Sequence, residues 1–464
     1  MSLKIGVSGV RGIINDSLTE EVISNFAKAY GTFVSASMGP GLEPDPILIG
    51  RDTRTSGKFV RGIVIDGLLA TGHSVIDVGF APTPTVLFLT KHLKSAGAII
   101  ITASHNPEQW NGLKFVRPDG TFLTKEEVFC LLDIYNNKKF KLSGKKGGVT
   151  EKKDASKAYL DAILKAVDVQ AIKNARFKVV LDYCNGTGAV TTPYLLEKLG
   201  CEIAAINTSP DGKFAHNPEP TPKNLEQLCV FVRESKADIG FAQDPDADRL
   251  AVVSEKGIAI GEENTLALAV KHVLSKSEKL KVKSEKFKVV VNLSTSRMID
   301  DICSEFGAQL FRSAVGEINV VDKMREVGAV IGGEGNGGVI YPAINFGRDS
   351  FIGMALLLEY MARSKKKVSD LVGSTKQYYI EKTKIDCPQD KINPVLEDVK
   401  KAFSNDKINT TDGVKIEWPD GWAHIRGSNT EPVIRIMAEA LTKEQALEYI
   451  GRIKGEVTKV TNVT

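Results

Sequence analysis

The sequence predicts three successive α/β domains with mixed, mostly parallel sheets, followed by a C-terminal α+β domain. Three observations carry that expectation. Apolar strand patterns alternate with helix-period segments from Ile47 to about Gly338, the mark of a parallel-rich sheet with helical crossovers. One pattern then recurs as LKSAGAIIITASHNP, ESKADIGFAQDPDADR and MREVGAVIGGEGNGG. Each copy runs charged helix end, Gly or Ala, buried strand, polar loop, so one α/β unit serves three times with a different loop at the same strand end. The last hundred residues lose this alternation. The expected domains are 1–150, 151–257, 258–372 and 373–464.

Overall totals exclude several classes. The 464 residues are 42% hydrophobic and 25% charged, with a net charge of +4, which describes a soluble globular protein with room for several cores. So small an excess of positive charge gives no footing for nucleic acid or a membrane surface. No apolar leader and no run of transmembrane length is present, so a cytoplasmic location is expected. Six cysteines, at 130, 184, 201, 229, 303 and 387, show no CxxC spacing, and most read as small core residues.

Taken in order, the chain opens with Gly6-Val7-Ser8-Gly9-Val10-Arg11-Gly12. This reads either as a plain glycine-rich turn or as a loop that brings backbone N–H groups and Arg11 to an anion. A strand at Ile47–Gly50 runs into the polar loop Arg51–Gly57. A helix over about Lys58–Ala70, a strand at Ser74–Val78 and a helix over Thr85–Ser95 follow. The β-branched run Ile99–Ile101 then breaks into Thr102-Ala103-Ser104-His105-Asn106-Pro107. A serine leaving a buried strand, with a histidine beside it, suits a nucleophile or covalent group carrier; the competing reading is a strand-ending turn. Lys114 supplies a cation for an anionic substrate. In parallel sheets ligands bind at the carboxyl ends of strands, where Ser104 falls.

Lys138–Asp154 is rich in lysine and glycine and reads as a solvated linker. Beyond a helix at Ala155–Val167 the pattern restarts with a strand at Val179–Asp182, a strand at Cys201–Ile206, an irregular loop at Pro210–Pro222, a helix at Lys223–Lys236 and a strand at Asp238–Ala242. That last strand ends in Asp244-Pro245-Asp246-Ala247-Asp248-Arg249. Three carboxylates at alternate positions in a turn converge on one hard cation, Mg²⁺, Mn²⁺ or Ca²⁺; a solvated acidic turn is the alternative. An EF-hand is excluded because Arg249 stands where its sharp-turn glycine belongs and strands flank the loop.

The third pass places strands at Val289–Leu293 and Leu310–Ser313, helices at Met298–Phe306 and Asn319–Val327, and then Ala329–Gly332 leading into Gly333-Glu334-Gly335-Asn336-Gly337-Gly338. The spelling G-x-G-x-x-G invites a dinucleotide site. Val339-Ile340-Tyr341-Pro342 cannot open the helix such a site requires, and Glu334 with Asn336 suits sugar hydroxyls better. In the last domain, strands at Tyr378–Asp386 and Gly413–Trp418 flank a helix at Lys391–Ser404. Arg426-Gly427-Ser428-Asn429-Thr430-Glu431-Pro432 and then Arg435 supply the hydroxyls, amide and guanidinium groups that hold a phosphate dianion.

A serine loop, a three-carboxylate loop, a sugar-type loop and a phosphate loop in this order resemble the α-D-phosphohexomutase family, over Val7 to about Ile436. TASHNP with its following NGLK, DPDADR and RGSNTEP carry the resemblance. It implies four domains around a central cleft and a reversible transfer between O6 and O1 of a hexose phosphate through a 1,6-bisphosphate. It implies Ser104 as the phosphoserine, with Asp244, Asp246, Asp248 and the phosphoserine oxygen as Mg²⁺ ligands. Arg11, Lys114 and Arg249 become cationic helpers, with His105 orienting the loop or moving a proton. Glu334 becomes the sugar contact, beside which the Asn336 amide can meet a 2-amino or 2-hydroxyl group, and Arg426, Ser428, Asn429, Thr430 and Arg435 become the phosphate clamp. A monomer or homodimer is expected.

Departures from the family pattern are few. The chain has Ile5-Gly6-Val7 where Phe-Gly-Thr is commoner, and Pro245 and Ala247 in the metal loop where glycine is commoner. The sugar loop lacks the serine usual after its glutamate and resembles phosphoglucosamine-mutase-like members. Glucosamine 6-phosphate is therefore the expected substrate, with glucose or mannose phosphate as the alternative. A non-catalytic phosphosugar-binding protein and a metal-dependent phosphatase are the competing classes. The first would be expected to lack reactive side chains that this chain has, and the second leaves the terminal phosphate loop without a purpose.

Overall fold

Residues 3–7, 9–37, 45–144, 147–152, 154–279, 287–428 and 432–461 are described in the computed structural model. The first stretch contains β1 (Lys4–Gly6), β2 (Gly9–Ile13), α1 (Glu20–Ser37), β3 (Ile47–Arg51), α2 (Gly57–Ala70), β4 (Val75–Phe80), α3 (Thr83–His92), β5 (Gly97–Ile101), β6 (Trp110–Val116), α4 (Lys125–Asn136) and β7 (Val149–Glu151). Its sheet has the order β1-β2-β6-β5-β3-β4-β7. The β5-β3-β4-β7 side is parallel and the β1-β2-β6-β5 side antiparallel. Period-two alternation sorts its side chains into two cores. Ile47, Ile49, Ile99 and Ile101 face the α1 and α2 side, whereas Leu48, Ala98 and Ile100 face the α3 side.

Two expectations change here. Of Gly6–Gly12, read as a plain turn or an anion loop, the turn is present, since β1 doubles back on β2 with Gly6 opposite Gly9, but Arg11 lies within β2, opposite Gly112 of β6. A Cβ at Gly9 would lie 2.1 Å from the Leu113 carbonyl oxygen, and its φ is +105°, so glycine there serves both the close strand approach and the turn. The linker Lys138–Asp154 contains β7, which extends the sheet edge by pairing with β4. A three-residue exposed edge strand is too short to leave a period in the sequence.

The second stretch holds α5 (Ser156–Ala166), α6 (Val169–Ala175), β8 (Lys178–Asp182), α7 (Gly188–Lys198), β9 (Glu202–Ile206), α8 (Glu226–Ser235), β10 (Ile239–Gln243) and β11 (Leu250–Ser254), in a sheet of order β11-β10-β8-β9. The third holds α9 (Glu262–Lys279), β12 (Lys288–Asn292), α10 (Met298–Glu305), β13 (Gln309–Ser313), α11 (Glu317–Val327), β14 (Ile331–Glu334), β15 (Gly338–Ile340), α12 (Ser350–Ser364) and α13 (Val368–Gly373), with β12 parallel to β13 and β14. The recurrent unit is plain: β5, β10 and β14 each lie beside a parallel strand, β3, β8 and β12. The last stretch holds β16 (Tyr379–Asp386), α14 (Gln389–Ala402), β17 (Lys407–Asn409), β18 (Val414–Trp418), β19 (Gly421–Gly427), β20 (Val433–Ala440) and α15 (Lys443–Thr461). Its sheet, β16-β20-β19-β18-β17, is antiparallel throughout and shares a core with α14 and α15.

The chain forms two compact units, residues 1–272 with 336–372 and residues 273–335 with 373–464. Helix α12 belongs to the first unit and packs on α5 and α6. It is buried almost all round, from Ser350 to Glu359 and at Met361, and such a helix shows no amphipathic period for a sequence reading to find. Among the described residues, no helix is long and apolar enough to cross a membrane.

Candidate active site

At the end of β5 the chain turns sharply, and Ser104 takes a left-handed φ of +50°. A non-glycine residue there costs free energy and must be held by its surroundings. Arg54 does most of the holding. Its guanidinium donates to the carbonyl oxygens of Ser104, Asn106 and Pro107, each at 2.6 Å, and of Trp110 at 3.0 Å. Asp52 secures Arg54 Nε at 3.0 Å and accepts from Thr102 Oγ1 at 2.6 Å. Thr102 Oγ1 in turn accepts from the Ser104 amide at 2.8 Å. All of these side chains are buried. Asp52 and Arg54 were legible only as part of a polar loop; nothing in the spacing says that Arg54 reaches fifty residues along the chain.

The loop between β10 and β11 brings Asp244, Asp246 and Asp248 together, wholly buried, with one carboxylate oxygen from each lying within 4.8 Å of the others. Ser104 Oγ lies 3.1 Å from Asp244 Oδ2. Thr83 Oγ1 donates to Asp246 Oδ2 at 2.6 Å, and the amides of Asp248 and Arg249 donate to Asp244 Oδ1. Oδ1 of Asp246 and Oδ1 of Asp248 have no hydrogen-bond partner among the described residues. A bare buried carboxylate oxygen costs several kcal/mol unless something compensates it. Burial and the neighbouring Asp248 and Asp246 push the Asp244 carboxyl well up. An oxygen-only cluster with orphaned oxygens fits a hard divalent cation such as Mg²⁺.

Cations ring these carboxylates. Lys114, on β6, places Nζ 2.6 Å from Asp246 Oδ2 and 3.2 Å from Asp248 Oδ2. Burial opposes its charge, but the two carboxylates outweigh burial and hold the ammonium above its ordinary range. Arg249 Nη1 meets Glu219 Oε1 at 3.2 Å, and Arg11 Nη1 donates to Asn106 Oδ1 at 3.2 Å. Arg348 is a site residue the sequence reading missed. It reaches Asp248 Oδ2 at 2.8 Å from the turn before α12, where Asp349 caps the helix by accepting from Phe351 and Ile352. A Cβ at Gly338 would come within 2.3 Å of Arg348 Cδ, so that glycine makes room for the arginine stem. His105 Nδ1 lies 3.3 Å from Ser104 Oγ. Burial, with Arg249 and Arg11 nearby, pushes its imidazole down to about 2, so it is neutral.

The second unit gathers a different set. Glu334 Oε1 accepts from Asn292 Nδ2 at 3.0 Å and from the Gly316 amide at 3.1 Å. Arg426 on β19 and Arg435 on β20 stand directly opposite each other, and Lys384 on β16 is opposite Arg435. Like charges paired across strands destabilise a sheet unless an anion joins them. Burial lowers the Arg426 guanidinium and Arg435 adds to the effect. Ser428 is buried, its amide donating to the Val433 carbonyl at 2.9 Å. Asn429 and Thr430, both expected in the phosphate clamp, lie outside the described residues. Asn336 belongs to the first unit, where its Oδ1 accepts from the Gly338 amide at 3.2 Å.

Comparison with known proteins matches four consecutive domain models along the chain. Models of the phosphoglucomutase/phosphomannomutase α/β/α domains I, II and III match residues 2–142, 157–257 and 262–378, and the C-terminal domain model matches 383–455. The chain is 40% identical over 97% of its length to a phosphoglucomutase/phosphomannomutase of Thermococcus kodakarensis, covering 97% of that protein. It is 35% identical to a probable phosphoglucosamine mutase of the same organism, over 99% of both chains. It is 34% identical to a phosphoglucosamine/phosphogalactosamine mutase of Sulfurisphaera tokodaii, over 98% of this chain and 99% of that one. A phosphoglucomutase/phosphomannomutase family protein of Burkholderia thailandensis superposes with a TM-score of 0.84 at 27% identity, covering 98% of this chain and 96% of that one. With all four domains matched in order along nearly its whole length, the chain belongs to the phosphohexomutase family.

Proposed function

We propose that the chain interconverts the 6- and 1-phosphates of a hexopyranose by passing a phosphoryl group through Ser104 and a 1,6-bisphosphate. The observation that carries this reading is Ser104 Oγ, held 3.1 Å from Asp244 at the edge of a buried carboxylate cluster that Lys114 and Arg348 also contact. Asp244, Asp246, Asp248 and an oxygen of phosphorylated Ser104 would hold Mg²⁺, which would draw charge from the phosphoryl oxygens.

The residues then divide the work. In the forward half, the bond from phosphorus to Ser104 Oγ breaks as a sugar hydroxyl forms a new one, and the hydroxyl proton ends on Ser104 Oγ. The bisphosphate turns, its other phosphate returns to Ser104, and the serine proton ends on the sugar oxygen left behind. Phosphoryl transfer depends mainly on positioning and charge neutralisation. Lys114, held as an ammonium, serves as a fixed positive charge rather than a base. Arg11, Arg249 and Arg348 meet the charge on the moving group. Neutral His105, 3.3 Å from Ser104 Oγ, orients that oxygen. Arg426, Ser428, Asn429, Thr430 and Arg435 hold the phosphate that is not reacting, and Glu334 and Asn336 meet sugar hydroxyls.

For the sugar, the relative at 40% identity, named for glucose and mannose phosphates, favours those substrates. Glucosamine phosphate is a second reading, supported by the serine-free loop around Asn336 and by relatives at 34–35% identity. A coupled assay with Mg²⁺ and a trace of 1,6-bisphosphate tests both. Higher kcat/KM for glucose or mannose 6-phosphate is the expected result; higher kcat/KM for glucosamine 6-phosphate selects the second reading. Ser104→Ala is expected to lose turnover while remaining folded, and near-normal turnover in it would end the carrier role.

A further inference from the structure

Between β9 and α8 the chain runs through an irregular segment, 207–221, that the family reading leaves without a task. It is pinned at several points, all within the first unit. His216 Nε2 meets Asp182 Oδ2 at 2.9 Å, and Asn185 Nδ2 donates to the Lys213 carbonyl at 2.7 Å. Gly212 lies so close to the 51–56 loop that a Cβ there would be 2.2 Å from the Thr53 carbonyl oxygen. The Phe214 ring lies 4.9 Å from the Arg54 guanidinium carbon. Near its end, Pro218 and Pro220 stiffen the backbone on either side of Glu219. The Glu219 amide donates to Asn217 Oδ1 at 3.2 Å, and its carbonyl accepts from Thr221 N and Asn224 Nδ2, both at 2.8 Å.

This fixed backbone delivers one carboxylate to the active site. Glu219 Oε1 lies 3.2 Å from Arg249 Nη1 and 4.0 Å from His105 Nε2. Arg249 follows Asp248 directly in sequence, and its Nε is 4.0 Å from Asp248 Oδ1. Neither that Nε nor that Oδ1 has a hydrogen-bond partner among the described residues. The guanidinium thus has two carboxylates within reach and is bonded to the outer one. A shift inward of about an ångström would bring its Nε to hydrogen-bond distance of Asp248 Oδ1, an oxygen of the cluster proposed to hold the cation.

We propose that Glu219 is a positioning residue: it holds the Arg249 guanidinium off Asp248 and so keeps the three-carboxylate loop open for its divalent cation. The inference rests on the metal-site reading above. It does not depend on the sugar or on the phosphoserine chemistry, because its test reads cation binding directly.

The experiment is a Mg²⁺ titration by calorimetry, on dephosphorylated full-length protein, for the wild type, Glu219→Gln, Arg249→Met and the double variant. Glu219→Gln should weaken Mg²⁺ binding about tenfold, the scale of a lost outer partner at a metal site. Arg249→Met should bind Mg²⁺ at least as tightly as the wild type. The double variant should recover the affinity that Glu219→Gln loses, because the competing guanidinium has gone. Restoration by a second lesion separates positioning from simple damage. If Glu219→Gln binds Mg²⁺ as the wild type does, or if the double variant stays weak, the proposal falls while the metal site stands. If the wild type itself binds no Mg²⁺, the metal-site reading falls and this inference goes with it.

Discussion

The two units of the protein solve opposite electrostatic problems. The first buries three aspartates, leaves two of their oxygens without hydrogen bonds, and presses Lys114 and Arg348 against them. The second sets Arg426 across from Arg435 on neighbouring strands, with Lys384 beyond, and buries Lys415 in β18 with Nζ on the Leu293 carbonyl at 2.8 Å. One region gathers buried carboxylates; the other sets cationic side chains side by side. A ligand that bound either region would stabilise it by mass action, a divalent cation at the first and an anion at the second. The proposed reaction asks for both kinds of chemistry, a cation beside the phosphate that moves and cationic donors for the one that does not.

Substitutions in the two regions should therefore separate cleanly. The largest effect is expected at the carboxylates. Asp246→Asn should lower turnover on the order of a thousandfold and abolish any rise in melting temperature on adding Mg²⁺; a Mg²⁺-dependent rise that persists would place the ion elsewhere. Next comes Arg426→Ala, which should raise KM for hexose phosphates by roughly 10- to 100-fold, the worth of a charge-assisted hydrogen bond, and leave Mg²⁺ stabilisation unchanged. A fall in kcat with KM unaltered would show that Arg426 belongs to the transfer step.

The pH dependence of stability sharpens the contrast further. Burial, with Arg312 adding to it, pushes Lys415 down to about 7, against about 10.4 for a free lysine. Between those values the unfolded chain holds a proton that the folded chain lacks, so this residue makes stability rise with pH across that window. Melting curves of wild type and Lys415→Met should show the wild type gaining on the variant from pH 7 to 9. A gap constant with pH would mean that Lys415 stays charged in the fold. The smallest effect is at Ala247, whose φ is +54°. A left-handed alanine is strained, so Ala247→Gly should stabilise the protein by about 1 kcal/mol, and a loss of stability would show that its methyl packs better than its backbone suffers.

Much of this was legible in the sequence because it is local. The strand-end segments carrying Ser104, the aspartates and Glu334, the last residue of β14, continue apolar runs whose period and length give them away, and their repetition gives the register. What stayed hidden depends on contacts far apart in the chain. Arg54 grips the Ser104 loop from another strand end, Arg348 arrives from beyond the sugar loop, and Glu219 comes from a stretch with no regular structure. Arg11 was seen as a loop residue but sits in a strand, since glycines that permit strand approach and glycines that make turns look alike in sequence. Helix α12 escaped because burial on every side erases its amphipathic stripe.

The most direct test of the account is a rapid-quench experiment with ³²P-labelled hexose 1,6-bisphosphate, Mg²⁺ and dephosphorylated enzyme, followed by peptide mapping. Label should appear on Ser104 at least as fast as turnover, and should be absent from Ser104→Ala and from wild type stripped of divalent ions. Label on another residue, or turnover outrunning the labelling of Ser104, would contradict it.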